Sequence, residues 1–289
     1  MTSLQAPMRC SARSEELKEP MIGSVEQRVR WLLVEDRSPW GTDAVRDVLG
    51  ADFAHDAKAR GVRVLLVRRR EGDPAADAVR RVMLVDTGAR EMAIRTVADL
   101  SELTMDAVAE APVAEFGASM TDPIFLVCTN GKRDACCALR GRALVMALAA
   151  DHAERVWECT HLGGHRFAGN LVCLPDGIVY GRVSLADGPP LADAFLEGRL
   201  DPSFLRGRAA WPAPAQVAEQ VLRQRLALDG LLDVRLGGVE MDADRAVVTL
   251  TAPDGVGHRF DLVAERPGPP RAISCRADEL QQPLHWRVV

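Results

Sequence analysis

The chain has 289 residues, 47% hydrophobic and 27% charged, with a net charge of −5. That length allows about two domains with sizeable cores, and the acidic balance implies no broad basic surface for nucleic acid. The start, MTSLQAPMRCSARSEELKEP, lacks a basic end followed by an apolar run, and ALVMALAA (143–150) is too short to cross a bilayer, so a cytoplasmic protein is expected.

Residues 1–25 are polar and are expected to be mostly irregular. RWLLVED (30–36) is a short apolar run suited to a buried strand. GTDAVRDVLGADFAHDAKARG (41–61) has apolar residues at helical spacing and a closing glycine, which predicts one helix. VRVLLVRRR (62–70) reads as a strand and EGDPAA (71–76) as a polar connection. RRVMLVDT (80–87) and EMAIRTV (91–97) read as strands joined by the turn GAR, and VADLSELTMDAVAE (97–110) as a helix.

The same order then recurs. PIFLVCTN (123–130) is a strand, CCALRGRALVMALAADHA (136–153) a helix and ERVWECTH (154–161) a strand. GNLVCLP and GIVYGRVS flank the turn DG as a hairpin, and PLADAFLEGRL is a closing helix. Strand, helix, strand, hairpin and helix thus occur twice, near 30–110 and 123–200, which suggests a duplicated α/β unit with the element order of thioredoxin-like domains. RGRAAWPAPAQ (206–216), with two prolines, reads as a linker. A helix (AQVAEQVLRQRLAL) and strands in DVRLGGVEMD, RAVVTLTA, HRFDLVAE and LHWRVV follow. The expected organisation is α/β: an N-terminal thioredoxin-like support lobe (1–115), a second thioredoxin-like domain (116–205) and a small α+β C-terminal unit (206–289).

The seven cysteines are Cys10, Cys128, Cys136, Cys137, Cys159, Cys173 and Cys275. An odd number, no export signal and uneven spacing argue against a disulfide framework. Five of the seven fall between 128 and 173, the interval that also holds HLGGHRFAGN (161–170), where His161 and His165 stand four apart. Adjacent glycines are poor helix interior, so Gly163 and Gly164 predict a backbone bend that turns both imidazoles toward one object. The first half has no comparable cysteines and is expected to be metal-free.

Cys128 ends a predicted strand, Cys136 and Cys137 open the next helix, and His161 ends the following strand. In a thioredoxin-like sheet these points share one edge. Two thiolates and two imidazoles suit zinc or an iron–sulfur centre. Zinc-finger cysteines stand two to four residues apart, which Cys128 and Cys137 do not. Two histidines on one iron and two cysteines on the other is the Rieske arrangement. Loop glycines (131, 163, 164) permit close backbone approach, and Lys132, Arg133 and Arg166 could offset thiolate charge.

FLVCTNGKRDACCALRG followed by HLGGHRFAGN resembles the sucrase/ferredoxin-like family, which has a yeast actin-patch distribution protein among its relatives. CSARSEELKEPMIGSVEQRVRWLLVEDRSPWG also looks like the family's N-terminal segment, and the resemblance covers most of residues 10–200. It implies a thioredoxin-like ferredoxin whose [2Fe-2S] cluster is held by Cys128, Cys137, His161 and His165. Cys136 is the competing ligand; the family's C-x8-C spacing favours Cys137. Despite the family's name, no acid/base carboxylate pair argues for sugar hydrolysis, so an electron carrier is expected rather than an enzyme.

Other residues take plainer roles. Cys10, Cys173, Cys275, His55, His152, His258 and His285 read as core or surface, Cys159 as packing beneath the site, and Trp31, Trp40 and Trp157 as core or interface. Lys132 and Arg133 either form a solvated turn or face the cluster or an acidic partner. Besides electron transfer, two functions stay open: a thiol redox enzyme using Cys136 and Cys137 at a helix N-terminus, and a structural zinc module. No G-x-G-x-x-G fingerprint follows a strand, so an external reductase and an electron acceptor are the implied partners, with no nucleic acid and no membrane.

Overall fold

The computed structural model describes residues 9–69 and 79–289; the connection expected at 71–76 lies outside the described residues. Its centre is one ten-stranded mixed sheet. The first half supplies β1 (Arg30–Glu35), β2 (Arg63–Arg68), β3 (Arg80–Asp86), β4 (Glu91–Val97) and β5 (Ala118–Ser119). The second supplies β6 (Ile124–Cys128), β7 (Val156–Cys159), β8 (Leu171–Leu174), β9 (Ile178–Tyr180) and β10 (Leu205–Arg208). The order is β10-β9-β8-β6-β7-β2-β1-β3-β4-β5.

The two halves repeat one pairing scheme. β1 is parallel to β2 and antiparallel to β3, as β6 is to β7 and β8. β3 continues to β4 and β5, as β8 does to β9 and β10, all antiparallel. The halves join through β2 and β7, antiparallel at Val67–Cys159.

Both faces of the sheet are buried, which is why its strands read as near-continuous apolar runs. On one face, Leu32, Val34 and Leu84 meet α2 (Ala44–Leu49), α3 (Ala51–Ala59), α4 (Met105–Ala109) and α5 (Val113–Phe116) through Ala44, Ala57, Val108 and Phe116. On the second half, Phe125 and Val127 meet α6 (Ala135–His152) and α7 (Gly188–Leu196) through Leu144, Leu148 and Phe195. The other face is a single cluster drawn from both halves, including Trp31, Leu33, Met83, Leu126, Trp157 and Val172. The twisted sheet curls over this cluster until its hairpin turns approach, with Arg90 Nη1 3.9 Å from Asp176 Oδ1. Trp31, Trp40 and Trp157 are all buried.

The C-terminal unit packs α8 (Ala213–Leu226) on a four-stranded antiparallel sheet of β11 (Arg235–Asp242), β12 (Arg245–Thr251), β13 (Gly257–Glu265) and β14 (His285–Val288). Ala218 and Leu222 meet Val248, Leu250, Phe260 and Leu262 there. The segment between β13 and β14 runs back to the start of α6, where Cys275 N–H donates to Asp134 Oδ2 at 2.8 Å.

Three expectations are corrected. The 41–61 helix is two helices, because Gly50 sits between them at φ +89°. The 97–110 helix is a 3-10 turn, Leu100–Glu102, then α4; Asp99 and Glu102 form a capping box that starts the turn, and Leu103 is extended. The N-terminal stretch holds one short helix, α1 (Cys10–Glu16), whose buried residues are Cys10, Ser11 and Ser14, too small and polar to give an apolar period; its other described residues lie in no helix or strand. Residues 206–216 are not a linker but β10 and the start of α8. Pro212 and Pro214 stand at the beginning of that helix, where a missing N–H costs nothing.

Candidate metal centre

Cys128 closes β6, and β7 runs parallel beside it, with Cys128 opposite Cys159 in register. The chain leaves β6 through Thr129 to Arg133, where Asn130 Oδ1 accepts the N–H groups of Lys132 and Arg133. Asp134 then caps α6 by accepting Cys136 N–H at 2.9 Å. Helix and strand come this close because residue 141 is glycine: a Cβ there would collide with the Cys128 carbonyl oxygen. These contacts set Cys137 beside Cys128.

The histidines arrive from the opposite side. Gly163 and Gly164 take φ +82° and +68° in succession, left-handed conformations that favour glycine. That bend brings His161 and His165 into parallel stacking, with ring centres 4.0 Å apart and an interplanar angle of 11°. Cys137 Sγ lies 3.7 Å from His165 Nδ1, and Cys128 is within hydrogen-bonding reach of His161. The structure thus gathers Cys128, Cys137, His161 and His165 into one cluster. Cys159 is buried in the same core.

Three groups clamp the loop backbone. Arg63 Nη2 donates to the His161 carbonyl at 3.1 Å, Arg206 Nη1 to the Gly163 carbonyl at 3.2 Å, and Asn170 Nδ2 to the Gly164 carbonyl at 3.1 Å. Arg206, on β10, is fully buried and also bonds Asn170 Oδ1 at 2.8 Å and the Ser24 carbonyl at 3.1 Å. Burial, with Arg166 and Arg63 nearby, pulls its guanidinium down to about 9. Arg166 itself is held by the buried Glu19 at 2.8 Å. Lys132 and Arg133 are exposed, so the positive charge facing the site from within the fold comes from the buried Arg206 and the half-buried Arg63.

The thiols differ in character. The Cys137 thiol donates to Cys128, which holds Cys128 well below the ordinary thiol range and Cys137 above it; Leu162 N–H and His161 also favour the Cys128 thiolate. Burial, with His161 alongside, pushes His165 down to about 3. A neutral imidazole and a thiolate are the states in which these side chains bind metal.

Cys136 belongs elsewhere. Consecutive helical residues point about 100° apart, and its sulfur lies 3.6 Å from Cys10 Sγ and 3.3 Å from Cys275 Sγ. The expectation that Cys10 and Cys275 are isolated core or surface residues is therefore corrected: three cysteines remote in sequence meet beside Asp134. Only the second Cys of the pair faces the histidines, and the Cys136 and Cys137 side chains serve different clusters. Arg63, Asp134 and Arg206 were also invisible in the sequence. An arginine on a strand and an N-cap aspartate carry no motif.

A family model described as sucrase/ferredoxin-like matches residues 21–207. A stretch of 89 residues is 30% identical to the Meyerozyma guilliermondii protein named Altered inheritance of mitochondria protein 32, covering 27% of this chain and 31% of that protein. The match thus spans less than a third of the length of that curated relative. No solved structure matches the chain.

Proposed function

The chain belongs to the sucrase/ferredoxin-like family, and on that premise we propose that it is an electron-transfer protein carrying one [2Fe-2S] cluster on Cys128, Cys137, His161 and His165. The observation that carries the reading is the grouping of donors: two thiols close enough to shift each other's ionisation, Cys137 Sγ 3.7 Å from His165 Nδ1, and two imidazoles stacked in parallel at one end of β6 and β7. This is the donor set of two thiolates and two imidazoles found on the two irons of a Rieske-type centre. When bound, the cluster supplies reversible one-electron exchange.

The chain's own residues do the rest. The Leu162 N–H favours negative charge on the Cys128 sulfur, as hydrogen bonds to the sulfurs do at iron–sulfur centres. Gly163 N–H donates to His161 Nδ1 at 3.3 Å, so the neutral ring carries its proton on Nε2 and a metal would take the Nδ1 lone pair in place of that bond. Arg63, Arg206 and Asn170 fix the loop carbonyls, so the imidazoles are oriented before anything binds, as surrounding groups do at metal sites generally. His161 is only half-buried whereas both sulfurs are buried, so the histidine edge is the shorter path for an electron to reach the surface.

The partner in this proposal is an external redox protein, with a reductase upstream and an acceptor downstream. The exposed Lys132 and Arg133 suit an acidic face on that partner. Function in the cytoplasm belongs to the same proposal, since a reducing compartment keeps seven thiols free. Among the described residues no helix is long and apolar enough to cross a membrane.

Anaerobic reconstitution with iron and sulfide tests the reading. The protein turns red-brown and loses visible absorption on dithionite addition. A protein that stays colourless overturns the proposal and leaves a zinc or thiol site in its place.

A further inference from the structure

A second thiol cluster stands beside the first. Cys10 opens α1, Cys136 lies in the first turn of α6, and Cys275 lies in the segment between β13 and β14. Their sulfurs form a nearly equilateral triangle with sides of 3.6, 3.3 and 3.5 Å. Asp134 occupies the fourth corner, with Oδ1 and Oδ2 3.9 and 3.8 Å from Cys10 Sγ. The four donor atoms all lie within 4.8 Å of one another. Cys10, Cys136 and Asp134 are almost completely buried, and Cys275 closes the site from outside.

We propose that Cys10, Cys136, Cys275 and Asp134 form a second metal site, which binds a single thiophilic divalent cation of the zinc type. The dimensions select a mononuclear ion. Zinc–sulfur bonds of about 2.3 Å in a tetrahedron put sulfurs about 3.8 Å apart, close to the spacing found. In a [2Fe-2S] cluster at most two cysteines share an iron, so a third would stand further off. A disulfide would pair two sulfurs at about 2.05 Å and leave the third out, whereas here all three separations are alike.

The surroundings are arranged for the same purpose. Asp134 Oδ2 accepts Ser274 Oγ at 3.0 Å and Cys275 N–H at 2.8 Å, while Oδ1 accepts Cys136 N–H at 2.9 Å and keeps a lone pair. Those bonds orient the carboxylate as second-layer groups orient metal ligands. Ser11 Oγ donates to Cys136 Sγ at 3.3 Å. Arg140, one turn along α6 from Cys136, is drawn upward in pKa by Glu15 first and by Cys136 and Cys10 as well, so it lies near the negative charge that the Cys136 and Cys10 thiolates bring. On binding, the thiols release their protons to solvent. The ion then ties α1, α6 and the C-terminal segment together at the residue next to Cys137, and so braces the electron-transfer site from behind.

Anaerobic titration of the full chain with Co(II) tests this independently of the iron–sulfur reading when done in a Cys128→Ser background, where the first site is disabled. One equivalent is expected, with thiolate-to-cobalt charge-transfer absorption and tetrahedral ligand-field bands. Adding Cys275→Ser, at an exposed position, should weaken binding by at least about a hundredfold, while adding Cys173→Ala should leave it unchanged. If Cys128→Ser does not fold, the wild type is compared with Cys275→Ser alone, which should lose one equivalent. Absence of charge-transfer absorption, unchanged affinity in Cys275→Ser, or a disulfide among the three cysteines in anaerobically purified protein would overturn the proposal.

Discussion

Gly163 and Gly164 have similar backbone angles but different surroundings, so replacing each by alanine separates the cost of the bend from the cost of disturbing its clamp. At Gly163 a Cβ would meet nothing nearer than Arg63 Nη2 at 3.8 Å, an ordinary contact. Gly163→Ala should therefore cost only the left-handed strain, about 1–2 kcal/mol. At Gly164 the same Cβ would fall 2.7 Å from Arg206 Cζ and 2.9 Å from Nη1. The guanidinium must move, and it is buried among the Gly163 and Ser24 carbonyls and Asn170. Losing one bond to a charged group adds about 1.5–3 kcal/mol, so Gly164→Ala should cost roughly 2.5–5 kcal/mol. That gap of about 1.5–3 kcal/mol between the variants corresponds to roughly 3–12 °C in Tm, on the scale of about 2–4 °C per kcal/mol for chains of 150–250 residues. Thermal unfolding by circular dichroism measures it, and iron content after reconstitution should fall further in Gly164→Ala. Equal Tm values would mean that Arg206 does not hold this loop.

Cys137→Ala should abolish the visible absorption of reconstituted protein while Cys136→Ala retains it, since only Cys137 faces His165; swapped spectra would move the ligand register by one residue. Iron analysis should give about two irons per chain, one Rieske-type centre, and four would reveal a second cluster. The midpoint potential should lie above the value of about −400 mV of all-cysteine ferredoxins. It should fall as pH rises past the oxidised-state pKa of the bound imidazoles, approaching about 59 mV per pH unit for one proton per electron; a potential flat with pH means that the ring nitrogens are locked in hydrogen bonds.

The large sheet was legible because its strands are buried on both faces and read as unbroken apolar runs. RWLLVE and RVMLVD leave little choice of conformation. The gathering of Cys128, Cys137, His161 and His165 was legible for a different reason. Parallel β6 and β7 end at one edge, and two adjacent glycines can only mean a bend. What was not legible is whatever depends on contacts across sequence distance. Cys10 and Cys275 are 265 residues apart, and nothing local marks either as one of a trio. Arg206 lies in a Pro-rich stretch that resembles a linker, yet the prolines serve a helix start and the arginine is among the largest fully buried side chains. A single residue also interrupted each expected helix: Gly50 in the first, the extended Leu103 in the second. Periodicity averages over a window and cannot see either.

Glu19 shows how such a distant contact would announce itself in solution. Its side chain is fully buried and its Oε1 faces Arg166 Nε at 2.8 Å, Arg271 Nη2 at 2.8 Å and His285 Nε2 at 3.7 Å. Arg166 follows His165 in the site loop, whereas Arg271 and His285 belong to the C-terminal unit, so one carboxylate joins the two regions. Burial pushes the carboxyl up, but His285, Arg271 and Arg166 together outweigh it and hold the group well below the ordinary glutamate range. Glu19→Gln keeps the shape and one acceptor oxygen but leaves two nearly buried guanidinium groups facing a neutral amide. Breaking a buried pair costs about 3–5 kcal/mol, and the retained acceptor places this change near about 3 kcal/mol. The sign of the pH dependence follows from the lowered pKa. The unfolded chain takes up the Glu19 proton near its ordinary value of about 4.3, while the folded chain does so only at lower pH. The stability from this group is thus fully present above about pH 5 and is lost as pH falls through that interval. Wild type and Glu19→Gln should therefore differ most at pH 6 and converge toward pH 3, as urea unfolding at the two pH values would measure. A difference that stays constant from pH 6 to pH 3, or one below about 1 kcal/mol at pH 6, would show that the carboxylate's charge does not hold the two regions together.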